Sequence, residues 1–106
     1  MTTIHMDPDA FKLEMSGHAG ADEKGKDIVC AGASILGFAL LNAAKDREDF
    51  HADVYMDWND AAIMVECHPE KEAEAECREM FRVVMHGYAV LLQGSPDHIQ
   101  IFIEGD

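Results

Sequence analysis

Two long stretches of helical periodicity constrain the fold of this chain more than any other feature. The first is predicted to have Asp27 as its N-cap and Ile28 as its first helical residue, and to end near Lys45. Gly32 and Gly37 lie inside it, where glycine costs about 1 kcal/mol relative to alanine, so we expect close packing against a neighbour. Its predicted apolar face consists of Ile28, Val29, Ala31, Ile35, Leu36, Ala39, Leu40 and Ala43.

The second helix is predicted from about Glu70 to Leu92. Gly94 and Pro96 follow it and are expected to end it. The acidic residues of its first half, Glu70, Glu72, Glu74, Glu76 and Glu79, are expected to face solvent. The residues of its predicted inner face are Ala73, Cys77, Met80, Phe81, Val84, Met85, Tyr88 and Leu92.

Short alternating segments surround the two helices and predict strands at residues 2–6, 10–16, 51–56, 61–67 and 98–104. The first is expected to be a shortened stub, interrupted by a turn at Asp7-Pro8-Asp9, and residues 57–60 are expected to close a hairpin. The order β-β-α-β-β-α-β has neither linker nor repeat. We therefore predict one α+β domain over residues 1–106, with two helices packed on one face of a mainly antiparallel sheet.

The charge of the chain excludes several classes of partner. The sequence has 21 acidic and 8 basic side chains, which give a formal net charge of −13 with neutral histidines. Such a charge repels a phosphate backbone and an anionic membrane, so we expect no direct binding to nucleic acid or membrane. Twelve acidic but only three basic residues lie between positions 46 and 79, so basic partners are favoured there.

The N-terminal residues carry neither the basic nor the apolar segment of a secretory signal. No apolar run is expected to come near the ~20 residues that span a bilayer. The cysteines are three in number, which leaves one unpaired whatever the pairing. We therefore expect a cytoplasmic protein with free thiols.

Two of the cysteines, Cys67 and Cys77, occupy a strand end and an inner helix position. Free cysteine is among the most buried residue types, so both are interpreted as small core residues. A zinc site built from them with His68 and His86 is a weaker alternative, because the spacing matches no common zinc motif. No metal or other cofactor is therefore predicted.

Cys30 differs from the other two because it is predicted in the first turn of a helix. As the third helical residue after Asp27, it would lie where unpaired backbone N–H groups and the helix dipole stabilise a thiolate. His18 follows a predicted strand and is flanked by glycines, so it could lie beside this thiol as a general base. The alternatives are a core cysteine and a solvent-exposed loop histidine.

Two further residues complete this neighbourhood. Asp27 could orient the imidazole of His18 or serve only as the helix cap. Ser34 lies four residues after Cys30, on the same helix face, and could hydrogen-bond the site or only fill a small space.

These residues carry a resemblance to a known family. The segment Ser16-Gly17-His18-Ala19-Gly20, followed by Gly25-Lys26-Asp27-Ile28-Val29-Cys30-Ala31 and by Ser34, resembles the signature of the ribosomal-processing cysteine protease family, Prp. Residues 95–101 are similar to the closing strand of that family.

The resemblance implies a cytoplasmic endopeptidase that removes the N-terminal extension of the large-subunit ribosomal protein L-twenty-seven. It implies Cys30 as nucleophile and His18 as general base, with Gly17, Asp27 and Ser34 at the other motif positions. It further implies a homodimer that needs no cofactor. The alternative function is a non-catalytic acidic module that holds a basic ribosomal protein.

Overall fold

The computed structural model describes residues 1–17, 26–57 and 62–104, and within them five strands and two α-helices form the fold. In chain order they are β1 (Thr2–Asp7), β2 (Lys12–Ser16), α1 (Lys26–Lys45), β3 (Asp53–Asp57), β4 (Ala62–Glu66), α2 (Glu74–Gly94) and β5 (Ile99–Ile103). Short 3₁₀ turns at Glu48–Phe50 and Lys71–Ala73 precede β3 and α2. This order confirms the predicted β-β-α-β-β-α-β arrangement. The hairpin turn was predicted at residues 57–60; Asp57 is the last residue of β3, and residues 58–60 lie outside the described residues.

The strands form one sheet in the order β3-β4-β2-β1-β5, in which only the β1–β5 pair is parallel. Alternate residues of the central strands, such as Ile4, Leu13 and Val65, are fully buried. They pack with residues of both helices in one core, whereas their neighbours along each strand face away from it. The predicted mainly antiparallel sheet, with two helices on one face, is confirmed.

The first strand is longer than predicted. β1 has six residues and pairs with β2 over five of them, so it is not a shortened stub. Asp7-Pro8-Asp9 instead begins the turn between the two strands, where the backbone N–H of Ala10 donates to Asp7 Oδ1 at 3.0 Å. The turn prediction was correct, and the predicted interruption of the strand was wrong.

Helix α1 begins earlier than predicted and turns a partly different face to the core, although Val29 and Leu40 are buried as predicted. It starts at Lys26, so Asp27 is its second residue and not its N-cap. Ile28 and Ile35, assigned to the inner face, are 75% and 67% exposed. The residues that it buries are Val29, Ala33, Gly37, Leu40, Leu41 and Ala44. Because α1 is apolar on two sides, periodicity alone could not show which side meets the sheet.

By length and composition, residues Ile28–Lys45 of α1 could cross a membrane. The expectation that no apolar run comes near that length was therefore wrong. In the fold, Val29, Leu40 and Ala44 of this segment belong to the core beneath the sheet. The exposed apolar side accounts for the rest of its apolar character.

Glycines let the two helices and the sheet approach closely, as predicted for Gly32 and Gly37. A Cβ atom on Gly37 would lie 2.8 Å from Ile63 Cδ1 and 3.2 Å from the hydroxyl of Tyr88. A Cβ atom on Gly32 would lie 3.0 Å from Leu91 Cδ2. These contacts are tighter than ordinary packing, so both positions favour glycine.

The inner face of α2 is close to the prediction. Cys77, Phe81, Val84 and Tyr88 are buried, as expected, but the helix runs two residues past the predicted end at Leu92 and includes Gly94. Leu92 is 36% exposed, and Leu91 packs against the core in its place. Successive residues of a helix point about 100° apart, so an error of one position in the predicted inner face exchanges Leu92 for Leu91.

Candidate active site

The thiol of Cys30 lies one turn inside α1. Since the helix begins at Lys26, Cys30 is its fifth residue and not its third. The N–H groups that lack an intrahelical partner belong to the first turn, and the dipole effect falls off over the same distance. The predicted stabilisation of a thiolate by the helix start is therefore weaker here. Activation of this thiol depends correspondingly more on a general base.

Burial separates Cys30 from the other cysteines. Its residue is partly exposed, whereas Cys67 and Cys77 are 1% and 0% exposed. Burial raises the pKa of the Cys77 thiol to about 12, and it also raises the pKa of Cys67, to which Cys77 is hydrogen-bonded. Both are core residues, as predicted. Of the three thiols, Cys30 is the one that a substrate could reach.

Core contacts hold the helix turn that carries Cys30. Its neighbour Val29 is 1% exposed, and Ala33 is fully buried. The Tyr88 hydroxyl donates a 3.0 Å hydrogen bond to the carbonyl oxygen of Ala33. Burial raises the pKa of Tyr88, so this hydroxyl keeps its proton and remains a donor. The nucleophile therefore stands on a turn that α2 fixes against the sheet.

Ser34 lies one helical turn beyond Cys30 and is half-buried, like Cys30 itself. Residues four apart share one side of a helix, so the structure keeps the predicted juxtaposition of these two side chains. Both lie between the buried stripe of α1 and its exposed apolar side. One helical turn separates Ser34 from Cys30, which is close enough for the Ser34 hydroxyl to support the site. This role stays a prediction.

Gly17 directly follows β2 and has a conformation that only glycine adopts readily. Its φ angle is +107°, in the region that side chains disfavour. A Cβ atom here would overlap the carbonyl oxygen of Met1 and lie 3.2 Å from Thr2 Cα. The chain therefore leaves the sheet at this point by passing tightly beside the start of β1. His18 is the next residue; it and the side chain of Asp27 lie outside the described residues.

Two polar atoms near Gly17 were missed by sequence reasoning. Thr2 Oγ1 and His98 Nδ1 are buried and have no hydrogen-bond partner among the described residues. The two residues are neighbours, because the backbone N–H of Thr2 donates to the His98 carbonyl at 3.1 Å. No sequence signal distinguishes them, since both look like ordinary ends of strands. They place unsatisfied polar groups at the end of the sheet from which the His18 segment departs.

No described group of side chains suggests a metal centre. Within residues 1–17, 26–57 and 62–104, no three His, Cys, Asp or Glu side chains are grouped so that they could hold a metal ion. His68, considered above as a zinc ligand, instead places its Nε2 3.4 Å from Asp53 Oδ2. The chemistry that the described residues offer is that of a partly exposed thiol on the second turn of α1.

Comparisons with known proteins show a family and a fold. A model of the cysteine protease Prp family matches residues 1–100, whereas no curated protein matches the chain. The ribosomal processing protease Prp from S. aureus, in complex with a substrate peptide, is 20% identical with a TM-score of 0.81, over 98% of this chain and 100% of that one.

Two further structures share the fold. The S. aureus protease with a covalently linked product peptide is 22% identical with a TM-score of 0.78, over 98% of this chain and 100% of that chain. SMU.848 from Streptococcus mutans is 28% identical with a TM-score of 0.72, over 96% and 90% of the two chains.

Proposed function

The chain belongs to the cysteine protease Prp family, and on this premise we propose that it removes the N-terminal extension of the large-subunit ribosomal protein L-twenty-seven. The observation that carries the proposal is the position of Cys30. It is the one cysteine of three that is not buried, and it lies within the family match, on the helix that follows the Gly17 turn.

In the proposed mechanism His18 removes the proton of the Cys30 thiol, and the thiolate attacks the scissile carbonyl carbon. Backbone N–H groups near the helix start stabilise the oxyanion, a contribution of about 3–4 kcal/mol for a good donor. His18 then protonates the leaving amine as the tetrahedral intermediate collapses to a thioester. Water, deprotonated by His18, hydrolyses the thioester and regenerates the thiol.

The remaining motif residues act by positioning. Gly17 permits the turn that starts the His18 segment, because no side chain fits beside Met1 there. Asp27 and Ser34 are proposed to support the pair, Asp27 by orienting the imidazole and Ser34 from one turn along α1. The observed start of α1 at Lys26 favours this role for Asp27, since it is not the helix cap.

A basic ribosomal protein suits the charge of this chain. With a net charge of −13, the protein attracts a lysine- and arginine-rich substrate and repels the RNA to which such a substrate binds. A cytoplasmic location, where ribosomal proteins are made, is part of the proposal.

A homodimer is proposed on the exposed apolar surface of the two helices. Ile28 and Ile35 of α1 are 75% and 67% exposed, and Val83 and Val90 of α2 are 61% and 66% exposed. Apolar residues grouped in this way mark interaction surfaces. A second copy would cover them without involving the sheet, and sedimentation velocity distinguishes the dimer from a monomer.

The test of the proposed function is incubation with the extended ribosomal protein. Cys30→Ala is expected to lower kcat by at least about 1,000-fold, because it removes the nucleophile. Mass spectrometry of the product locates the cut. Cys67→Ala is the matched control and should change turnover less than about twofold, whatever it does to stability. Substantial turnover by Cys30→Ala would remove the assigned nucleophile, and tight binding without any cleavage by the wild type would favour the binding module.

A further inference from the structure

Within residues 1–17, 26–57 and 62–104, nothing covers the face of the sheet that points away from the helices. We call it the outer face and define it by the row Tyr55, Met64, Glu14, His5 and Phe102, one residue from each strand, with Lys12, Glu66 and Asp7 in the next row. The strand register places each member of a row opposite the next: Tyr55 pairs with Met64, Met64 with Glu14, Glu14 with His5 and His5 with Phe102.

The first row, from Tyr55 to Phe102, is partly aromatic and is accessible to solvent. The rings of His5 and Phe102 are stacked with centroids 4.8 Å apart, and Phe102 is still 47% exposed. Tyr55, at the opposite edge, is 55% exposed. Strands lie about 4.8 Å apart, so the row spans about 19 Å, the length of about six residues of an extended peptide.

Residues of both rows, together with Glu104, line an acidic cavity. A cavity of about 430 Å³ opens on the outer face beside His5, and its charged lining consists of Asp7, Lys12, Glu14, Glu66 and Glu104. Four carboxylates thus face one ammonium group. Lys12 Nζ lies 3.2 Å from Glu14 Oε1, which leaves an excess of three negative charges around a concave surface.

Both the location and the chemistry distinguish the outer face from the proposed active site. Cys30 lies on α1, which packs on the opposite side of the sheet through residues such as Val29. The cavity also lies toward the Asp7 end of β1, whereas Gly17 lies beside Met1 at the other end. A peptide bound at the thiol would therefore not occupy this surface.

We propose that the outer face binds an extended, lysine- or arginine-rich segment of another protein. Its cations would meet the carboxylates of the cavity, and its apolar side chains would lie on the Phe102–His5 stack and on Tyr55. Charge complementarity selects this occupant, because a second copy of the chain would place carboxylate against carboxylate, and a nucleic acid would place phosphate there. Arginine adds an attraction to the exposed aromatic rings.

The test uses the full chain carrying Cys30→Ala, so that binding is measured without cleavage. The probe is a fluorescein-labelled hexapeptide of alternating lysine and leucine, followed by fluorescence anisotropy at low salt. Glu66→Gln with Glu104→Gln should weaken binding about 5- to 10-fold, since each surface ion pair contributes up to about 1 kcal/mol. Lys12→Gln removes the competing cation and should tighten binding about two-fold or more, an effect that simple structural damage would not produce.

The matched control is Glu74→Gln with Glu79→Gln, which removes the same charge from exposed positions on α2. It should change the affinity less than about twofold. An equal loss of affinity in this control would show that only net charge matters and would overturn the proposal. A protein with an unsubstituted outer face that does not detectably bind the peptide would also overturn it. The same sheet substitutions are also made in the chain that keeps Cys30. If these variants cleave a short extension peptide at the unchanged rate, binding at the outer face is independent of the proposed protease activity.

Discussion

The protein holds its three thiols in two contrasting environments. Cys30 is partly exposed on the second turn of α1, whereas Cys67 and Cys77 face each other in the core, where burial holds the pKa of Cys77 near 12. The same side chain is a candidate nucleophile in the first place and a small apolar residue in the second. The difference lies in solvent access and in the elements packed around each sulfur. A cysteine therefore has to be judged by its place in the fold and not by its presence in the sequence.

The largest expected effect is in the rate of alkylation. Near pH 7.5, mild iodoacetamide should label Cys30 at least about 100-fold faster than Cys67 or Cys77, because buried thiols with a raised pKa supply almost no thiolate. Peptide mass spectrometry measures the labelling at each site. His18→Ala should slow labelling of Cys30 and leave the other two unchanged. If the buried pair reacted as fast as Cys30, the contrast between the two environments would be lost.

A smaller effect is expected at the turn that leads to His18. Gly17→Ala forces a side chain into a φ of +107° and against the carbonyl of Met1, so it should cost about 1–3 kcal/mol of stability and lower kcat/KM about 10-fold or more. Urea denaturation and peptide cleavage measure the two effects.

The control for this prediction is Gly94→Ala. A Cβ atom at Gly94 meets nothing within 4 Å, so this substitution should be nearly neutral in both measurements. Equal behaviour of the two glycine variants would argue against a special role for the Gly17 turn.

A third effect concerns the buried thiols in alkaline solution. The thiol of Cys77 releases its proton near pH 9 when unfolded but only near pH 12 when folded, so the unfolded state binds fewer protons across this range. Stability is therefore retained below pH 9 and falls above it, by about 1.4 kcal/mol per pH unit for each such group. The raised pKa of Tyr88 acts in the same direction above pH 10.

Cys77→Ala should reduce this slope in urea denaturation followed between pH 8 and 11. Val84→Ala, a truncation on the same helix without a titrating group, should lower stability while leaving the slope unchanged. An identical slope in Cys77→Ala and the wild type would contradict the assigned ionisation.

Much of the fold follows from the sequence because each element has its own period. The alternation in β2 and the spacing in α2 each point to one buried face, and both predictions agree with the structure within a residue or two. Helix α1 is the exception. Ile28 and Ile35 are as apolar as Val29 and Leu40, so nothing local distinguishes the side that packs on the sheet from the side left exposed. Only the tertiary arrangement makes that choice.

The candidate site was partly predictable for a related reason. Cys30 and Gly17 stand in a recognisable motif, but the position of Cys30 within the helix depended on where α1 begins, and Asp27 suggested a start two residues too late. Helix boundaries of this kind are poorly determined by single residues. The hydrogen bond from Tyr88 to Ala33 joins residues 55 positions apart and has no local signal.

The parallel pairing of β1 with β5 ties the assembly of the site to the order of synthesis. Residues Thr2 to Met6 pair with residues Ile99 to Ile103, and the Thr2 backbone that borders Gly17 is held by His98. One edge of β1 therefore stays unpaired until β5, about 95 residues later in the chain, has been made. Closure of so long a loop is entropically costly and slow, so the nascent chain completes this sheet only after β5 has left the ribosome. An unfinished chain would lack the strand that secures the turn leading to His18.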